Sequence, residues 1–140
     1  MNPIDRQTAI INEIVTNNAG VFEETHRQNT DMRPYSECPA LVVKFIRAEI
    51  PSLDATLQPN IRGYVYQFHV IDFVANHDSD SAITEQAMQD CEEYVYNLAY
   101  KIIGESTTFH ILEGSNIDMI RHELNDQEIR FTNCFIFGNC

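Results

Sequence analysis

His69, Asp72 and His77 are the residues whose types and spacing come nearest to a site. Imidazoles and a carboxylate in one short stretch can hold a metal ion or exchange a proton. The stretch is "IRGYVYQFHVIDFVANHDSDS", and its first part alternates as a strand does. Tyr64, Tyr66, Phe68 and Val70 fall on one face, with Val65, Gln67, His69, Ile71 and Phe73 on the other. That parity sets Asp72 opposite His69 and makes His69 a packed or hydrogen-bonded sheet histidine. His110 and His122 sit in two later segments and would make a cross-strand polar pair if those segments lie side by side. Glu92 and Glu93 point about 100° apart on a helix, which suits a solvated face better than paired carboxylates, and Glu23-Glu24 offers no more.

Cys38, Cys91, Cys134 and Cys140 are widely separated and form no CxxC pair, so they spell neither a zinc box nor a redox motif. Reduced thiols in an intracellular protein are the simplest account. Cys91 falls on a helical apolar face, where a thiol behaves as a small hydrophobe; Cys134 and Cys140 carry no reading. The 5 glycines are scattered, which excludes the backbone cradles that phosphates need, and no GxSxG marks a serine nucleophile. With neither nucleophile signature, metal box nor cofactor loop, the chain reads as a non-enzyme that uses no cofactor and no metal.

Composition narrows the partners. Against 9 basic residues stand 21 acidic ones, a net charge of -12, and such a surface repels phosphate backbones and anionic lipid. The opening "MNPIDRQTAI" lacks the basic start and apolar run of a signal peptide. No later window approaches the ~20 apolar residues of a membrane span.

The elements that must position these residues follow from periodicity. Asn2-Pro3-Ile4-Asp5 is a helix start, and the isoleucines that follow predict a helix over about 3–18, stopped near Gly20. Residues 23–39 are polar and aperiodic, a long loop. Residues 40–50 predict a strand, 51–60 a loop with two prolines, and 61–73 the clearest strand. A second helix is expected from about Ala82 to Ile103, halted at Gly104, with Ile83, Ala87, Cys91, Tyr94, Val95, Leu98 and Ile102 facing the core. Residues 107–113, 117–124 and 129–137 predict closing strands. The whole is one domain over 1–140: an α+β fold with a mainly antiparallel sheet of about four or five strands, an N-terminal helix, and one long helix packed on it.

Tyr96, Tyr100 and Ile103 fall on the far side of that long helix, among Glu85, Gln89 and Glu93. Tyrosine supplies contact area with a polar tip and is enriched at interfaces. They form one candidate subunit contact, and Met32, Arg33 and Tyr35 in the polar loop form the other.

The order of elements, with the segments "ECPALVVKF", "RGYVYQFHVIDFVANHDSDS", "AMQDCEEYVYNLAYKIIG" and "EIRFTNCFIFGN", resembles the tail terminator or tail-completion proteins of tailed bacteriophages. The resemblance implies a non-catalytic virion subunit made in the host cytoplasm and closing into a homo-oligomeric ring, commonly of six copies, or of twelve as in related neck rings of short-tailed virions. It implies contacts with neighbouring neck or tail proteins, DNA passing through the lumen without specific binding, and no membrane. A second expectation, from the tyrosines alone, is an intracellular protein-binding adaptor acting as a small oligomer.

Overall fold

The computed structural model describes residues 2–27, 37–50, 52–53, 59–60, 63–77, 84–124 and 127–139. Helix α1, Pro3–Asn17, begins as its sequence dictates: Asn2 accepts from the Asp5 amide at 2.8 Å, with proline in the first turn. Its Ile10, Ile11 and Ile14 are buried, and Gln7 beside them is 2% exposed. Gly20 follows the helix with φ 77, a left-handed conformation that glycine adopts without strain.

Strand β1, Glu24–His26, pairs in parallel with β2, Ala40–Glu49. The polar loop expected over 23–39 thus contains a strand. Its three residues show no apolar alternation because it is held through its backbone at the sheet edge. Short strands β3, Ser52–Leu53, and β4, Pro59–Asn60, pair with each other within the expected proline loop. Strand β5, Gly63–Phe73, runs antiparallel to β2 and passes into a 3-10 turn, Val74–His77. Helix α2 spans Glu85–Glu105, capped by Thr84 Oγ1 accepting from the Ala87 amide at 3.1 Å. Strands β6, Phe109–Ile111, and β7, Asp118–Leu124, both pair with β8, Gln127–Asn139.

The sheet has six strands in the order β1-β2-β5-β8-β6, with β7 also on β8. Every pairing but β1 with β2 is antiparallel, so the fold is the mainly antiparallel α+β arrangement that the sequence predicts. β5 lies between β2 and β8 and is buried along nearly its whole length. Tyr64, Tyr66, Phe68 and Val70 join the isoleucines of α1 and Ala87, Cys91, Val95, Leu98 and Ile102 of α2 in the main core. The opposite face holds a second cluster, Ala40, Val42 and Ile71, with Cys38 and Phe73 against it. Parity had assigned these faces, and it holds.

Three expectations about α2 need correction. Ala82 and Ile83 lie outside the described residues, and the helix begins at Glu85. Gly104 does not stop it: the helix runs to Glu105 and ends at Ser106 in extended backbone (φ -70, ψ 138), so no left-handed glycine cap is used. Tyr94 is not a core residue but 36% exposed, because it falls at the margin of a stripe that advances about 100° per residue.

Polar contacts help to fix the helices in place. Tyr66 OH donates to the Pro3 carbonyl at 2.7 Å, fixing the start of α1 over β5. The Glu13 carboxylate accepts from the Thr107 amide at 3.1 Å and from Thr108 Oγ1 at 3.2 Å, joining α1 to the chain that leaves α2.

Candidate functional site

Asp72 and His77 are five positions apart, one near the end of β5 and the other at the end of the 3-10 turn. Parity orders residues only while the chain stays extended; the turn carries His77 back over Asp72. His77 Nε2 donates to Asp72 Oδ2 at 2.6 Å. The other carboxylate oxygen accepts from the Phe73 amide and from Asn76 Nδ2, each at 2.9 Å. Asp72 is 2% exposed, and these three bonds compensate its burial.

Cys91 of α2 closes the inner side. Its Sγ approaches the Asp72 backbone carbonyl at 3.9 Å, and the side chain is 0% exposed. Tyr94, one turn further along α2, lays its ring 5.1 Å from the His77 ring. Burial, and then the nearby Asp72 charge, raise the Tyr94 phenol above its ordinary range. Cys38 stands on the same side of influence: burial, then Asp72 and Glu24, push its thiol up to about 12.

The cluster that the sequence made tempting is therefore half present. Asp72 and His77 meet, while His69 faces the other side of the sheet, its Nε2 3.3 Å from Gln67 Oε1. Burial, with Lys44 adding to it, lowers His69 to about 4. Cys91 was assigned only to packing; helical phase places it on the core but does not say that the end of β5 runs past it. In the backbone register His110 and His122 are not partners of each other: they lie opposite Phe137 and Ile129, towards the two ends of β8.

The outer face of α2 is the second notable feature. Tyr96 and Tyr100 are 45% and 65% exposed, and their rings stack with centroids 6.3 Å apart and planes 20° apart. Glu85, Asp90 and Glu93 are exposed along the same helix, whereas Lys101 is drawn to Glu105 and Asn18. Ile103 is half-buried against the main core and adds less to this face than its helical phase implied. Met32, Arg33, Tyr35 and Cys140 lie outside the described residues, as does the Cys134 side chain. On another side of α2 an open groove, lined by neither Tyr96 nor Tyr100, runs between Ala19 and Val21 on one side and Tyr94, Leu98 and Lys101 on the other.

Comparison with known proteins gives little to lean on. No family model matches the chain, and no curated protein matches it. Among solved structures it is similar to a biotin acetyl coenzyme A carboxylase synthetase from Helicobacter pylori, crystallised with biotinylated ATP. The identity is 10% and the TM-score 0.32, over 92% of this chain and 55% of that one. This chain thus spans about half the length of that protein. None of these comparisons supports a phage neck or tail ring, and that expectation is withdrawn. At this TM-score the likeness assigns neither fold nor activity here.

Proposed function

We propose that the chain is a protein-binding domain rather than an enzyme, and that the outer face of α2 docks a basic segment rich in arginine. The stacked pair Tyr96 and Tyr100 carries this reading. It is the largest aromatic surface left exposed among the described residues, on a helix whose inner face is fully packed. Glu85 and Glu93 give the same face a negative charge, in keeping with the net charge of -12. A guanidinium can lie on a tyrosine ring while pairing with a neighbouring carboxylate, worth roughly 0.5–2 kcal/mol per contact. Against a nucleophilic role for Cys91 stands its burial, its side chain being 0% exposed.

The test uses synthetic peptides of equal charge, one rich in arginine and one rich in lysine, titrated into labelled protein and followed by NMR. The arginine peptide should bind more tightly and shift resonances over residues 93–100. Tyr96→Ala with Tyr100→Ala should weaken it about tenfold or more at unchanged helix content. Equal binding by the double variant, or shifts spread evenly over all acidic surfaces, would refute the proposal.

A further inference from the structure

We propose that Asp72, His77 and Cys91 bind a divalent transition metal of the zinc class, an ion that would clamp the end of β5 and its 3-10 turn to α2. The carboxylate, imidazole and thiol donor atoms lie within 4.8 Å of one another. Oxygen, nitrogen and sulfur together suit zinc; magnesium and calcium take all-oxygen sites. Bonds of about 2.0–2.3 Å set tetrahedral ligands roughly 3.3–3.8 Å apart. The cluster therefore needs side-chain shifts on the order of 1 Å, Cys91 moving inward and the Asp72–His77 pair, now at 2.6 Å, opening around the ion.

The surroundings are those of a prepared ligand set. The Phe73 amide and Asn76 hold one oxygen of Asp72, leaving the other to face His77; outer partners of this kind orient metal-binding carboxylates. The Tyr94 ring limits rotation of the imidazole. An ion would also neutralise a carboxylate that is 2% exposed. His77, with its side chain 16% exposed, marks the way in and the side from which water takes the fourth position. On binding, Cys91 loses its thiol proton to solvent, and the ring proton that now faces Asp72 passes by way of solvent to the ring nitrogen turned from the ion. One proton is released per ion, so affinity rises with pH.

The experiment titrates cobalt(II), then zinc, into chelator-treated full-length protein kept reduced by a phosphine. One equivalent of cobalt should give a thiolate-to-cobalt charge-transfer band that zinc displaces. The band should vanish in Cys91→Ala and persist in Cys38→Ser/Cys134→Ser/Cys140→Ser, and His77→Gln should weaken cobalt binding at least tenfold. No band in the parent protein, or a band that survives Cys91→Ala, overturns the site. If Cys91→Ala does not fold, His77→Gln decides: unchanged cobalt affinity in that folded variant overturns it equally.

Discussion

Gln7 illustrates how one buried polar side chain completes a sheet. The β1 ladder ends at His26 opposite Val42, leaving the next carbonyls, those of Arg27 and Val43, beyond its reach. The Gln7 amide donates to both, at 2.8 and 2.5 Å, from a position 2% exposed in the apolar face of α1. An unsatisfied buried acceptor costs about 1–3 kcal/mol. Gln7→Met keeps nearly the same volume and removes both donors, so it should lower stability by about 2 kcal/mol in urea unfolding at unchanged m-value. A loss below about 0.5 kcal/mol would mean that water replaces the amide. Gln7 could not be singled out from the sequence, because a polar residue among isoleucines looks like an interruption of the face until the carbonyls that it serves are placed. The same holds for Asp72 and His77: each was visible as a chemical type, but their meeting depends on a 3-10 turn that no periodicity announces.

Among the elements, α2 links both proposed surfaces, since it presents Tyr96 and Tyr100 outward and Cys91 inward. Its start rests on Thr84, whose hydroxyl accepts from the Ala87 amide. Replacing that cap by alanine, Thr84→Ala, should cost about 1 kcal/mol, measurable as a shift in the unfolding midpoint; Thr84→Ser should recover most of it. An unchanged midpoint in Thr84→Ala would show that the first turn is held by other contacts. The inner face of this helix was legible because Ala87, Cys91, Val95, Leu98 and Ile102 repeat at helical spacing, and β5 was legible because apolar residues alternate along both its faces. Tyr94 was misplaced because phase alone cannot say how wide a stripe the sheet covers. The end at Gly104 was misjudged because the helix closes without a positive φ. β1 was missed since Glu-Thr-His carries no pattern, its place being set by backbone pairing, and the sharing of one edge of β8 by β6 and β7 is a matter of topology.

At the scale of the whole molecule, acid should act through His69 as well as through the carboxylates. Burial holds folded His69 at about 4 against an ordinary 6.5. Between those values the unfolded chain binds a proton that the folded chain refuses, so stability falls as pH drops from about 6.5 to 4 and the effect is complete below. A shift of this size corresponds to about 3 kcal/mol. Over the same range, protonation of some of the 21 acidic residues relieves the mutual repulsion of a chain at -12 and works in the opposite direction. The two effects separate in a comparison of the parent with His69→Gln, which does not titrate. Unfolding free energies measured by urea at several pH values should diverge in slope between pH 6.5 and 4 and run parallel above and below that window. The parent should be the one that loses stability faster. Curves parallel throughout would mean that His69 takes up its proton in the folded state at an ordinary pH, and that the second core cluster beneath β2 and β5 admits water.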